Sequence, residues 1–167
     1  NTAYGTAKTV LEDATATDED YTNAYNALVA ANETLEINMP EEGKYYTIVS
    51  DCSDLRNGQL MYATSENAIV FSREMTNVKP EALWKFTAEG YLENLQTGCG
   101  VSTGSTGGSH HKLGESPRVV SIKSISLDGQ VLLTPQDAQP LHAQDNGSVV
   151  VGWGDSDAGS ASAWRIV

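Results

Sequence analysis

Two kinds of hydrophobic pattern divide the chain. From Asp18 to Leu35, apolar residues recur every three or four positions, which places them on one stripe of an amphipathic helix. The stripe consists of Tyr21, Ala24, Tyr25, Leu28, Ala31 and Leu35. Thr17 or Asp18 is the expected N-cap, and a shorter helix is predicted over Ala3–Ala14. The pattern predicts a helical hairpin or spacer over residues 1–38 that needs a partner surface to bury its stripe.

Beyond Pro40 and Gly43, residues 44–167 show short β-type runs separated by turns such as Asn57-Gly58 and Asp128-Gly129. The predicted strands are Tyr45–Ser50, Gln59–Thr64, Asn67–Ser72, Ala82–Ala88, Gly90–Gln96, Cys99–Thr103, His111–Glu115, Val119–Ser126, Gly129–Pro135, Leu141–Gln144, Ser148–Trp153 and Ala163–Val167. Short strands with no intervening helix are typical of an all-β barrel or sandwich.

Internal repetition narrows the choice of fold. The segments Leu83–Phe86 and Ala163–Ile166 are alike, and Ser121–Ile125, midway between them, has the same apolar-basic rhythm without the tryptophan. Three units of four strands predict an all-β fold, a β-trefoil over residues 44–167, preceded by the N-terminal α-helical hairpin.

The repeated segments resemble the ricin B-type lectin family. Asn67–Phe71 followed by Ala82–Phe86 is similar to the third and fourth strands of a trefoil repeat, and Ser148–Trp153 followed by Ser162–Ile166 is a second copy. The family's Gln-x-Trp signature is altered, since alanine or serine stands where the glutamine is expected. The resemblance implies a carbohydrate-binding fold and covers roughly the last three quarters of the chain.

In sugar-binding repeats of that family, an aromatic side chain on the third strand stacks on the sugar and a nearby aspartate bonds its hydroxyl groups. The resemblance places the aromatic role on Trp153 and Phe71. It places the polar role on Asp145 and Asn146 beside Trp153, and on Asn67 beside Phe71. No repeat keeps the whole constellation.

Two interpretations of Trp153 stay open at this stage. An exposed indole would supply a sugar platform, because its face packs on C–H groups while hydroxyls bond at the rim. Alternatively, Val149, Val151 and Trp153 share one strand face, which is the pattern of a buried core strand.

The helical segment is similar to spacers of large secreted bacterial glycan-degrading enzymes. The chain starts at Asn1 without a start methionine, and we expect it to be a piece of such a protein. The predicted function is a non-catalytic carbohydrate-binding module of an extracellular, cell-surface or periplasmic glycoside hydrolase. The alternative is a structural module that docks on and braces neighbouring domains of the same polypeptide without binding sugar.

The charge changes which partners are expected. A formal net charge of -12 repels phosphate backbones and anionic membrane surfaces, leaves neutral glycans unaffected and attracts cations. No apolar run approaches the roughly 20 residues that a bilayer-spanning helix needs. We therefore expect a weakly bound glycan, and neither nucleic acid nor membrane insertion.

Candidate chemistry beyond sugar binding is sparse. His110 and His111 are neighbours on an extended segment and point in opposite directions, so they cannot readily bind one metal ion and are interpreted as loop residues. Asp155 and Asp157 lack the further acid of a calcium loop, so a solvated loop is favoured for them. We find no catalytic constellation and expect no cofactor and no metal. Two cysteines, Cys52 and Cys99, leave open either one disulfide or two separate thiols.

Overall fold

The computed structural model describes residues 2–33, 39–66, 68–72, 77–103, 105–126, 128–144 and 149–167. The chain divides into two units, Asn1–Asn38 and Met39–Val167. The first contains the helices and the second contains the strands.

Two helices, α1 (Thr2–Glu12) and α2 (Asp18–Glu33), form the first unit. The N-cap of α2 is Thr17: its backbone amide donates to a carboxylate oxygen of Asp20 at 2.8 Å, and its hydroxyl accepts from the Asp20 amide at 3.3 Å. This reciprocal pair satisfies two amides that a helix start leaves without partners. Neither helix, over the residues described, is long and apolar enough to cross a bilayer.

The apolar stripe of α2 is only partly buried. Ala24 is buried, as is Ala7 of α1, whereas Tyr21 and Tyr25 are 42% and 67% exposed. Alanine lets two helices approach closely, and the bulky tyrosines of the stripe then lie outside the contact. The hairpin by itself therefore leaves Tyr21 and Tyr25 uncovered, the need for a partner surface stays a prediction, and Leu35 lies outside the described residues.

Each of the twelve predicted strands overlaps a strand in the described part of the second unit. The strands are β1 (Ile48–Ser50), β2 (Leu60–Ser65), β3 (Ala68–Ser72), β4 (Trp84–Phe86), β5 (Leu92–Asn94), β6 (Gly100–Val101), β7 (Leu113–Gly114), β8 (Val120–Ser124), β9 (Val131–Pro135), β10 (Leu141–Ala143), β11 (Val150–Gly152) and β12 (Trp164–Ile166). They are mostly shorter than predicted. Before β4, for example, Pro80–Ala82 forms a 3₁₀ turn, because proline suits the first position of a helical turn.

Six strands pair in a closed ring. β1 pairs with β12, β12 with β9, β9 with β8, and β4 with β5, all antiparallel. Two isolated bridges complete the ring, Tyr91 to Val119 between the β5 and β8 segments and Tyr46 to Trp84 between the β1 and β4 segments. The other six described strands form the hairpins β2–β3, β6–β7 and β10–β11. The ring leaves no open edge.

One hydrophobic core receives side chains from every described strand. Its members include Ile48, Met61, Ile69, Trp84, Leu92, Val101, Leu113, Val120, Leu133, Leu141, Val150 and Trp164. The Trp84 indole donates to the Met61 carbonyl at 2.9 Å, and the Trp164 indole donates to the Leu141 carbonyl at 2.7 Å. Both bonds span 23 residues of sequence. The two tryptophans therefore fill the core in the same way.

Candidate functional site

The structure places the predicted sugar-binding residues unequally. Trp153 is well described and follows β11 directly. Phe71 lies in β3 opposite Met61, but its side chain is outside the described part, as are Asn67, Asp145 and Asn146. The assignment of all five residues to sugar binding remains a prediction.

The Trp153 side chain is 50% exposed, which decides between the two interpretations of this residue in favour of a surface position. Val150 and Val151 are both buried, so β11 is covered on both faces. Buried and exposed side chains therefore do not alternate along this strand. The strand ends at Gly152, and the backbone amide of Trp153 bonds the Pro140 carbonyl at 3.3 Å. The indole thus stands at the end of β11, next to the paired part of the β10–β11 hairpin.

The loop between β6 and β7 lies against this hairpin. The Gly108 amide donates to the Gly152 carbonyl, and the Gly152 amide donates to the Ser109 carbonyl, each at 2.9 Å. A Cβ atom at Gly152 would overlap the Ser105 carbonyl and lie 3.0 Å from the Thr106 nitrogen. Glycine is therefore required at 152 because two backbones meet there.

An open cleft of about 470 Å³ lies beside the indole. We call it the Trp153 cleft. Its lining consists of Ser53, Asp54, Arg56, Gly108, His142, Gln144, Val151, Trp153, Asp155, Gly159, Ser160 and Ala161. These residues come from the β10–β11 hairpin and from loops that are far apart in sequence. The volume falls in the range of about 300–1,000 Å³ typical of small-molecule sites.

One wall of the cleft is an ion pair between Asp54 and Arg56. Nε of Arg56 lies 2.9 Å from Oδ1 of Asp54, and Nη2 contacts Oδ2 as well. The guanidinium also donates to the Ala143 carbonyl at 2.6 Å, which ties this wall to β10. The hydrogen bond from Arg56 holds the pKa of the Asp54 carboxyl well below its ordinary value. Asp54 therefore stays ionised at any physiological pH, with its charge matched by Arg56.

The carboxylate of Asp155 differs from that of Asp54. It is half-buried in the cleft and forms no hydrogen bond or ion pair with the residues that the structure describes. An acceptor that is partly removed from water and lacks a protein partner can bond the hydroxyl or amine of a ligand.

The base of the cleft includes a buried histidine. The His142 ring lies 6.2 Å from the indole of Trp153, centroid to centroid, at an angle of 42°. Nδ1 of His142 is 2.9 Å from the hydroxyl of Ser162, the residue that stands where the family's glutamine is expected. Ser162 thus positions the histidine that supports the indole.

Other candidate chemistry is resolved as follows. Cys52 and Cys99 are separate, buried thiols, so the disulfide alternative is wrong. Among the described residues, no three His, Cys, Asp or Glu side chains are placed to hold a metal ion. The arrangement at Trp153 offers an aromatic face, the Gln144 amide and a carboxylate without a partner among the described residues, and groups of these kinds bind polar ligands.

Sequence reasoning missed most of the cleft. The sequence pattern predicts a solvated loop at Asp155 and indicates no binding role for Asp54, Arg56, His142 or Gln144. The one available signal was the position of Asp155 two residues after Trp153 in a glycine-containing loop. Nothing local in the sequence brings Asp54 to the same place, because 101 residues separate it from Asp155.

The chain matches no protein-family model and no curated relative. Its fold is similar to several solved structures. A GlcNAcα1-4Gal-releasing endo-β-galactosidase from Clostridium perfringens has a TM-score of 0.56 at 17% identity, over 74% of this chain and 32% of that one. The hemolytic lectin CEL-III has a TM-score of 0.58 at 13% identity, over 77% of this chain and 31% of that one. A GH54 α-L-arabinofuranosidase has a TM-score of 0.57 at 11% identity, over 90% of this chain and 37% of that one.

These likenesses concern the fold alone. The chain spans about a third of the length of each of the three proteins. Over the described residues the structure is mostly β with two α-helices. Its fold is similar to segments of a lectin and of two glycosidases.

Proposed function

We propose that residues 44–167 form a β-trefoil that acts as a non-catalytic carbohydrate-binding module of a larger secreted glycoside hydrolase, with residues 1–38 as a helical spacer. The observation that carries the proposal is the half-exposed Trp153 beside a polar cleft that holds Asp155, a carboxylate with no partner in the described part of the chain. The module would work outside the cytoplasm, at the cell surface or in the periplasm, where polymeric glycans are met.

The strand pairing supports the trefoil. A six-stranded closed ring with three hairpins, built from four strands at a time, is the arrangement that three repeats would produce. The Trp84 and Trp164 indoles each donate to a backbone carbonyl 23 positions earlier in the chain, and this shared contact supports an internal repeat. Similarity of fold to a lectin and to two glycosidases supports a sugar-related context.

The chemistry of the Trp153 cleft supports saccharide binding. A sugar ring presents C–H groups on one face and hydroxyls at its edge. The indole would pack on that face, while Asp155 and Gln144 bond the edge. An open cleft with one aromatic platform buries little surface, so we expect dissociation constants near the millimolar range.

A bracing module that binds no sugar is the second candidate. The observation that favours it is the exposed apolar surface of the helical hairpin, where Leu11 is 73% and Tyr25 67% exposed. Such side chains fit contact with another domain. The two candidates differ in whether Trp153 has a ligand.

Calorimetric titration of the whole chain with neutral oligosaccharides, chosen by a glycan array, tests the proposal. Trp153→Ala should weaken binding at least about tenfold, since it removes the stacking face. Tyr45→Ala is the matched control, because Tyr45 is an exposed aromatic that does not line the cleft, and it should leave affinity unchanged.

Two results would count against sugar binding. The first is a lack of heat or array signal with every neutral glycan at millimolar concentration. The second is a Trp153→Ala protein that binds as well as the parent. Either would favour the bracing role.

A further inference from the structure

We infer that the saccharide bound in the Trp153 cleft carries no carboxylate or sulfate group, and that a primary amine on its ring strengthens binding. The inference rests on the sugar-binding function proposed above and names the class of sugar. It follows from the distribution of charge among the residues that line the cleft.

Three charged side chains line the cleft among the described residues, and the opposite charges of two of them cancel. Arg56 forms a fork with Asp54, so the guanidinium is already engaged by a carboxylate and by the Ala143 carbonyl. To bind Arg56, the carboxylate of an acidic sugar would have to compete with the carboxylate of Asp54, two residues away in the same loop. Asp155 is left as the carboxylate without a partner among the described residues.

The indole adds to the same preference. The face of a tryptophan ring is electron-rich and attracts a cation placed over it. A ring-bound ammonium near Trp153 would meet the indole on one side and the Asp155 carboxylate on another. A carboxylate or sulfate in that position would be repelled by both.

The charge of the whole chain acts in the same direction. With a formal net charge of -12, the molecule repels anionic glycans at a distance and attracts cationic ones. A neutral sugar is neither attracted nor repelled by the net charge. The charges at the cleft and the net charge of the chain together predict the highest affinity for the amino sugar, a lower affinity for the neutral sugar and the lowest for the acidic sugar.

A matched series of oligosaccharides tests the ranking. Glucose, glucosamine and glucuronate oligomers of one linkage, with the corresponding galactose series, are titrated into the whole chain at about pH 6, below the pKa of such amines. The amine-bearing oligomer should bind about two- to fivefold more tightly than its neutral parent, and the acid more weakly by a similar factor. Added salt should shrink both differences.

Two variants separate the local effect from net charge. Asp155→Asn keeps an acceptor oxygen but removes the charge, so it should weaken binding of the amine-bearing oligomer by a larger factor than binding of the neutral oligomer, and the amine preference should shrink. Asp157→Asn makes the same change in net charge at an exposed residue that does not line the cleft, and it should keep the preference.

The possible failures are distinguishable. If neutral oligomers bind and amines bind no better, or if uronates bind as well, the inference is wrong while the proposed function stands. The same holds if Asp155→Asn and Asp157→Asn lower the preference equally. If no oligomer binds, the proposed function itself is contradicted.

Discussion

At the residue scale, His111 is a polar side chain with no exposure to solvent. Neither ring nitrogen has a hydrogen-bond partner of good geometry among the described residues. Burial lowers the pKa of His111 from 6.5 to about 4, against the smaller opposing effect of the Thr103, Pro140 and Gln139 carbonyls. The ring is therefore neutral in the folded protein under ordinary conditions.

This burial predicts a loss of stability in mild acid. Above pH 6.5 the ring is neutral in both states. Between pH 6.5 and about 4, only the unfolded chain takes up the proton, so the free energy of unfolding falls as pH falls, by roughly 3 kcal/mol in total. Urea denaturation at several pH values measures the slope.

His111→Met should remove this part of the slope, because methionine fills irregular space without titrating. His110→Gln, at the exposed neighbouring residue, should leave it in place. An unchanged slope in the His111→Met protein would show that other groups cause the acid sensitivity.

At the element scale, the β10–β11 hairpin and the β6–β7 loop form one unit beneath the indole. The bridge between His110 and Val151 and the two hydrogen bonds of Gly152 attach the loop to β11. A ring carbon of Trp153 lies 3.8 Å from where a Cβ of Gly108 would stand. The loop therefore forms part of the wall on which the platform rests.

Gly152→Ala should break this arrangement. The new methyl group would meet the Ser105 backbone, which must move, and overpacking of this kind costs about 1–3 kcal/mol. Thermal unfolding should show the loss, and titration should show weaker binding of any sugar that the parent binds.

Gly154→Ala is the matched control two residues further on. Among the described residues its methyl group would meet the Gln139 amide nitrogen alone, at 3.2 Å, so this flexible side chain has to shift by only a few tenths of an ångström and can keep the bond from the Gly107 amide to its Oε1. We expect a small change in stability. Equal losses in the two variants would mean that the close approach at Gly152 is not the cause.

At the scale of the whole molecule, the core is organised around two tryptophans with the same hydrogen bond. Trp84 and Trp164 are completely buried, and each indole satisfies a carbonyl of a hairpin strand. Ile122 stands at the corresponding place in β8, packs against the core and has no group to donate. The ring is therefore anchored to its hairpins by indoles in two of three places.

Replacing either buried tryptophan by phenylalanine should destabilise the fold. Trp84→Phe or Trp164→Phe leaves a buried carbonyl without its donor and a small cavity, at a cost of roughly 2–4 kcal/mol. Chemical denaturation measures the loss. Trp153→Phe, at the half-exposed indole, should change the free energy of unfolding by much less, and a loss as large as the other two would refute this account of the core.

Much of the secondary structure could be predicted because its causes are local. Each predicted run overlaps a strand, and Thr17 caps α2 as the pattern indicated. Turn residues such as Gly58 and Gly129 adopt positive φ, which favours glycine wherever they lie in the fold. These features depend on residues a few positions apart.

The burial of individual aromatic residues was harder to predict. Val149, Val151 and Trp153 have the spacing of one strand face, yet the indole lies half outside. The strand ends one residue earlier, at Gly152, because another backbone crosses there. The burial of Tyr21 and Tyr25 in α2 was equally hard to predict. Their spacing predicts an apolar stripe, but the surface packed against the helix decides how much of that stripe is buried.

The sequence by itself determined the helices, the strands, the turns and the repeated tryptophan segments, since these follow from periodicity and the conformations of single residues. Only the tertiary structure decided that the strands close into a ring, that Trp153 faces outward, and that Asp54 and Asp155 line one cleft. Those outcomes depend on contacts between residues up to 120 positions apart, and no local pattern encodes them.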